Sequence, residues 1–369
     1  MLEKASAEQK TTLLASGKRY LYTVDLTTNA QPGGEFQTQY IVHIDTKIPT
    51  IEITKADKVY TDTTGTTVKN WVGATGLSRL RGNIDEENPY EASYDIRKNG
   101  ESLKTGELGG VYSFDMTNDE GEPLDEITLA AGDYLDVKFS ATDKAGNKSE
   151  EFVTEKYYAD VTKPSLVTAD EQGDDTPKAI RIGGAIYNSE NENSSWRKDT
   201  ALLFEGWYKE TESGISAIHY VINPTVDESE LASGEKIKEI ATGAMGADSN
   251  GKFSSTISGF SPSGASKIYL AAEDNVGNIS APTSYVIKID QVGPEFTEPD
   301  EGDRNLPANG TKDVSFEITV KDQENASGID IEKVFDDGTK GVVVTAIYNG
   351  TQYPLSDSTV TVNNNEVTA

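Results

Sequence analysis

The 369-residue sequence has no cysteine, two histidines and three methionines, and it sets 33 basic side chains against 62 acidic ones. Each shortage closes off a class of function. Without cysteine there is no disulfide framework and no thiolate metal site. Two distant histidines, His43 and His219, leave little from which to build a zinc centre. The deficit of Lys and Arg gives a net charge of −29, a field that repels a phosphate backbone and argues against nucleic acid. An anionic membrane surface is disfavoured for the same reason. No run of about 18 apolar residues exists, so no transmembrane helix or membrane insertion is expected. The start, MLEKASAEQK, lacks the apolar core of a secretory signal. If the parent is exported, its signal and anchor lie outside this fragment. Hydrophobic residues are only 35% of the chain, but 17 Tyr and 10 Phe can build several small cores.

What is present is repetition. Asp-x-x-x-Pro closes three similar alternating segments: Asp45 to Pro49, Asp160 to Pro164 and Asp290 to Pro294. Upstream of the later two stand Asp143-Lys-Ala-Gly-Asn147-Lys-Ser149 and Asp274-Asn-Val-Gly-Asn278-Ile-Ser280. Downstream, Glu212-Ser-Gly-Ile215 matches Ala326-Ser-Gly-Ile329, and Leu77 to Ile84 is a weaker version of the strand that precedes it. The repeats therefore read as 1–48, the late strands of one unit; 49–163 and 164–293, two whole units; and 294–369, the early strands of another. The fragment is cut out of register with its repeats.

Nearly every periodic stretch alternates with period two, which puts one face in a core and one in water. Turn signals recur at Asn99-Gly100, Asn250-Gly251, Asn349-Gly350 and Asp337-Gly338. A short helix is expected near 1–10 or 227–233. Short strands in units slightly over 100 residues predict an all-β chain of tandem immunoglobulin-like β-sandwich domains arranged end to end.

The ordered set of tryptophan, strand, Ser-Gly-Ile, hairpin, Asp-x-x-Gly-Asn-x-Ser, strand and Asp-x-x-x-Pro resembles the bacterial immunoglobulin-like repeats of large surface and cell-wall proteins of the adhesin type. The resemblance spans essentially the whole chain. The segment from Asp25 to Gly34 departs from it, with no Gly-Asn turn. It implies a sandwich fold and extracellular display. It implies no shared catalytic residues and no common ligand.

Candidate chemistry is sparse. Gly246 to Lys252 has the spacing of a phosphate loop, but Phe253 stands where a magnesium-binding hydroxyl belongs and a strand follows rather than a helix. His43 and His219 lie in alternating strands, and no Gly-x-Ser-x-Gly elbow is present. No carboxylate pair can be singled out for glycoside hydrolysis. The expectation is therefore no enzyme and no cofactor, with calcium as the one ion that acidic junctions could collect. The calcium candidates are Asp170, Glu171, Asp174 and Asp175 after one junction, and Glu298, Asp300, Glu301 and Asp303 after the next. Aromatic sugar platforms are the other option. Trp71 and Trp196 occupy matched positions and are expected to pack structurally, Trp207 is read as core, and Tyr90 and Tyr94, read as flanking a turn, are the freer ligand-binding candidates. A Lys–Asn amide cross-link is compatible with the composition, but nothing in the sequence places such a pair together.

These readings predict a non-catalytic stalk or interaction segment on the bacterial cell surface, projecting a distal head or contributing to cell adhesion by binding a host protein or glycan. The alternative is a set of carbohydrate-binding or spacer domains of a secreted polysaccharide-degrading enzyme, and a weaker third is a phage or appendage fibre component. Half a sandwich exposes unpaired strand edges. The partial ends therefore allow either a monomer or head-to-tail chains completed by strand addition.

Overall fold

The computed structural model describes residues 17–27, 35–63, 67–167, 180–187, 196–297, 319–324, 326–329, 345–348, 351–354, 361–363 and 366–368. The chain divides into two compact units, Met1–Thr162 with Asn275–Asn278, and Lys163–Asp274 with Ile279–Ala369.

The first unit opens with an antiparallel hairpin of β1 (Arg19–Thr27) and β2 (Glu35–His43). A sandwich follows, whose strands alternate buried and exposed residues as two-layer packing requires. Its first sheet pairs β3 (Thr50–Asp57) with β6 (Arg79–Asp85) and β6 with β9 (Ser113–Thr117). The second sheet runs β4 (Tyr60–Asp62), β5 (Lys69–Val72), β12 (Tyr157–Ala159), β10 (Tyr134–Asp143), β7 (Pro89–Lys98), β8 (Glu101–Glu107), with β11 (Phe152–Val153) also on β10. All pairs are antiparallel except β5 with β12, which run parallel. The core between the sheets includes Leu80, Ile84, Phe114 and Met116 from the first, and Ile96, Leu135, Val137 and Phe139 from the second. Phe114 and Phe139 stack across the sandwich with centroids 4.8 Å apart.

The second unit repeats this order. Its first sheet contains β13 (Ser165–Leu166), the hairpin β14 (Ile180–Ile182) and β15 (Ala185–Tyr187), then β17 (Ala201–Lys209) and β20 (Lys252–Ser258); β17 pairs with β13, β14 and β20. Its second sheet runs β16 (Trp196–Arg197), β22 (Thr283–Asp290), β21 (Ser263–Asp274), β18 (Ile215–Ile222), β19 (Gly243–Met245). The β16–β22 pair is again parallel. A helical turn, Glu230–Ala232, and a short helix α1 (Gly234–Glu239) lie between β18 and β19. The helix expected near 227–233 is thus a single 3₁₀ turn, with the α-helix just beyond it. Residues 1–10 lie outside the described part.

Beyond this sandwich, β23 (Glu295–Thr297) pairs with β24 (Thr319–Lys321), the same antiparallel pairing as β3–β6 and β13–β17. A hairpin of β25 (Thr345–Tyr348) and β26 (Thr351–Pro354) follows, and β27 (Thr361–Asn363) and β28 (Glu366–Thr368) extend the sheet of β24.

Two cross-strand pairs recur at matching positions. Gly82 of β6 lies opposite Phe114, and Gly206 of β17 lies opposite Phe253. Gly106 of β8 lies opposite Tyr94, and Gly243 of β19 opposite Tyr220. In each case the aromatic ring lies across the glycine, where a Cβ would collide with ring atoms. A glycine exposes backbone within a strand, and the aromatic covers it. The Asn99-Gly100 turn joins β7 to β8 with both residues at positive φ, 55° and 82°, as a two-residue hairpin turn demands.

A candidate cation site of three carboxylates

Strand register brings three distant acids together. Thr50 pairs with Asp85 across β3–β6, which sets the segment carrying Asp45 beside the turn that carries Glu86. Asp143 pairs with Pro89 across β10–β7, which sets the Asp143–Asn147 turn beside the same place. One carboxylate oxygen from each of Asp45, Glu86 and Asp143 lies within 4.8 Å of the other two. Glu86 and Asp143 are buried, at 4% and 1% exposure, and Asp45 is half-buried.

Hydrogen bonds fix the arrangement. Asp143 Oδ1 accepts the Asn147 amide at 2.8 Å, and Oδ2 accepts Asn147 Nδ2 at 2.7 Å. The same Nδ2 donates to the backbone carbonyl of Asp45 at 3.0 Å, tying the turn to the junction. Asn278 Nδ2 makes the matching bond to the carbonyl of Asp160, at 3.1 Å. The serine of each motif closes its turn: Ser149 Oγ accepts the amide of Ala141, and Ser280 Oγ that of Ala272, both at 2.9 Å. Glu86 Oε1 accepts the amide of Asn88 at 2.9 Å, while its buried Oε2 has no hydrogen-bond partner.

Electrostatics make this cluster costly. Two ionised carboxylates at 4.8 Å or closer repel by about 3.5 kcal/mol or more at an effective dielectric of about 20. None of the ion pairs among the described residues involves Glu86 or Asp143. Lys47 lies next to the cluster, but its ammonium is 3.0 Å from Asp85 Oδ2 at the surface. Its pKa is raised by that hydrogen bond first, then by the charges of Asp85, Glu86 and Glu87. In the last repeat the junction acid meets a different partner. Asp290 Oδ2 accepts both the amide and the hydroxyl of Ser327, at 2.9 and 2.5 Å, and its pKa falls chiefly because of the hydroxyl.

The calcium candidates Asp170, Glu171, Asp174, Asp175, Glu298, Asp300, Glu301 and Asp303 all lie outside the described residues. The structure places the aromatic candidates as follows. Tyr90 and Tyr94 do not flank a turn; both lie in β7, because the strand begins at Pro89. Tyr90 is 64% exposed. Tyr94 is half-buried, packs against the core and covers Gly106, and burial raises its pKa. Trp71 is buried in β5 with its ring 6.0 Å from Tyr158, and Trp196 is half-buried in the matching β16. Trp207 is not core. Leu202, Phe204, Gly206 and Tyr208 take the inward face of β17, so Trp207 points outward and its indole N–H donates to Asn250 O at 2.6 Å. His43 is exposed, and His219 Nε2 is 2.7 Å from Glu273 Oε2 on a sheet face. In the loop with phosphate-loop spacing, Asp248 Oδ1 accepts the amides of Asn250 and Lys252, and β20 follows directly. Among the described residues no helix is long and apolar enough to cross a membrane.

No family model matches the chain, and no curated protein matches it. Among solved structures it is similar to the fibronectin(III)-like modules of CbhA from Clostridium thermocellum, at 13% identity and TM-score 0.31, over 63% of this chain and 94% of that one. It is also similar to a β-glucuronidase of Parabacteroides merdae, at 11% identity and TM-score 0.20, over 66% of this chain but only 25% of that one. A third likeness is to the chicken interferon gamma receptor alpha chain, at 10% identity and TM-score 0.21, over 62% and 97%. These likenesses are low, and the fold assignment stands on the strand pairing itself. A strand paired parallel to the last strand, with every other pair antiparallel and two sheets around one core, occurs twice in succession, and the chain is an all-β tandem of immunoglobulin-like sandwiches.

Proposed function

We propose that this chain is a non-catalytic, extracellular segment of a bacterial surface protein, a stalk that projects a distal head and contributes to adhesion to a host protein or glycan. The observation that carries this reading is the repetition. The same sandwich is built twice with the same pairing order and the same Gly–aromatic pairs, and its pairing begins a third time at β23–β24. Repetition multiplies length and contact surface rather than a catalytic site. The acidic surface supports it too, because a net charge of −29 discourages self-association at high local density.

The test has two arms. Antibody against this chain should label intact, unpermeabilised producing cells; labelling only after permeabilisation would overturn the reading. The purified chain is then screened against host glycans, matrix proteins, mucin and plant polysaccharides. Saturable binding to a host ligand with no turnover is the expected outcome. Binding confined to insoluble plant polysaccharide would replace the adhesive reading with that of an accessory module of a polysaccharide-degrading enzyme, and hydrolysis of any of them would overturn the non-catalytic reading.

A further inference from the structure

From the carboxylate cluster we infer that Asp45, Glu86 and Asp143 form a calcium site which ties the junction segment after β2 to the sandwich that follows it. Three observations carry this. The three carboxylate oxygens lie within 4.8 Å of one another, a span that fits around one ion with calcium–oxygen distances of about 2.3–2.6 Å. Glu86 is 96% withdrawn from solvent by its 4% exposure, and its Oε2, one of its two carboxylate oxygens, has no hydrogen-bond partner. A buried carboxylate oxygen without a partner is costly, and a cation is the group that would satisfy it among two further acids. The donors are also held before any ion arrives. Asn147 grips both oxygens of Asp143 and the carbonyl of Asp45, while the Asn88 amide holds Glu86 Oε1 and leaves Oε2 buried without a partner.

An all-oxygen, all-carboxylate set suits a hard cation. Three carboxylates supply three to six oxygens, and water would complete the six to eight that calcium takes. Asp45 belongs to the junction and the other two to the sandwich, so the ion would add a further link to the bond between Asn147 and the Asp45 carbonyl. The inference draws on the surface-protein reading only for the millimolar calcium found outside cells. A failure to bind calcium would leave the antibody result untouched.

The test uses the full chain, stripped with EDTA, desalted and titrated with calcium chloride by calorimetry, beside Glu86→Gln and Glu87→Gln. Glu87 is exposed, so its variant removes the same charge outside the cluster. The parent and Glu87→Gln should share one saturable site that Glu86→Gln loses or weakens at least tenfold. Melting should invert in order. In EDTA, Glu86→Gln should melt at or above the parent, because repulsion is relieved. In 5 mM calcium, a chosen assay level of roughly the weaker extracellular range, the parent should rise above it. Magnesium at the same level should give a smaller rise. Should Glu86→Gln fail to fold, Asp45→Asn removes a donor from the junction instead. Identical calcium titrations for the parent, Glu86→Gln and Asp45→Asn would overturn the site, as would a Glu86→Gln deficit of equal size in EDTA and in calcium.

Discussion

Replacing Gly206 with alanine should destabilise the second sandwich, although alanine is ordinarily the better strand residue. Gly206 sits in the middle of β17, opposite Phe253 of β20. A Cβ there would lie 2.6 and 2.7 Å from two ring atoms of Phe253 and 3.2 Å from Ile180 Cγ1. Phe253 and Ile180 are 4% and 1% exposed, so neither can yield without moving the core. Overpacking of this kind costs about 1–3 kcal/mol, while removing a strand glycine returns about 0.5–1 kcal/mol; with the Cβ as close as 2.6 Å to a buried ring the cost falls in the upper part of its range, leaving a net loss of about 1–2.5 kcal/mol. For a unit of this size that lowers the melting temperature by about 3–10 °C. Calorimetric melting of the full chain measures it. Gly246→Ala is the control, since a Cβ there meets nothing within 4 Å. Gly206→Ala combined with Phe253→Leu tests the cause: the smaller side chain should recover part of the loss, with a coupling of about 1 kcal/mol. A Gly206→Ala variant as stable as the parent, or costs that simply add in the double variant, would refute the claim that the ring requires the glycine.

Two further outcomes follow from the first sandwich. Asp133 accepts from Lys98, from the Ala130 amide and from Asn99, and in that order these hold its pKa at about 2, below the ordinary 3.8. A depressed folded pKa stabilises above the unfolded value and is lost as pH falls through the folded one. The Asp133 contribution should therefore be complete above about pH 4 and fade towards about pH 2, and Asp133→Asn should flatten that part of an acid-unfolding curve. Tyr94→Ala uncovers Gly106 and should cost about 1–2 kcal/mol in urea unfolding, whereas the exposed Tyr90→Ala should stay within about 0.5 kcal/mol. A ligand that loses affinity with Tyr94→Ala but not with Tyr90→Ala, at unchanged stability, would restore Tyr94 as a binding residue.

The all-β sandwich class was legible because period-two alternation survives folding almost unchanged. In β17 the pattern ALLFEGWYK predicts one buried face, and Leu202, Phe204, Gly206 and Tyr208 form it. The same parity rule places Trp207 outside, and reading it as core gave residue type precedence over register. Tyr94 misled for a related reason. Its exposure depends on what lies across the strand, and Gly106 is the signal that was present and unread: a glycine inside an alternating stretch marks a place where another group covers the backbone. Gly82, Gly206 and Gly243 carry the same signal at matched positions.

The acid cluster was less legible, because charge density along the chain is a poor guide to charge density in space. The crowded stretches 170–175 and 298–303 draw attention in the sequence, and they lie outside the described residues. Asp45, Glu86 and Asp143 are spread across 98 positions, and only the registers of β3–β6 and β7–β10 converge them. Two of the three did carry a sequence signal: Asp45 belongs to the Asp-x-x-x-Pro motif and Asp143 to Asp-x-x-Gly-Asn-x-Ser. Those motifs recur because each has a structural task, Asn147 bonding the turn to the junction in one repeat and Asn278 in the next. Glu86 has no such mark, since the turn between β6 and β7 lacks the Ser-Gly-Ile found in the later repeats. Ser327 gives the junction aspartate Asp290 two donors, and beside Asp45 the turn brings the buried Glu86, whose Oε2 has no hydrogen-bond partner. The repeated motifs therefore set the geometry of a junction, while the acid that meets them is found only by following strand register from β3 to β6 and from β7 to β10.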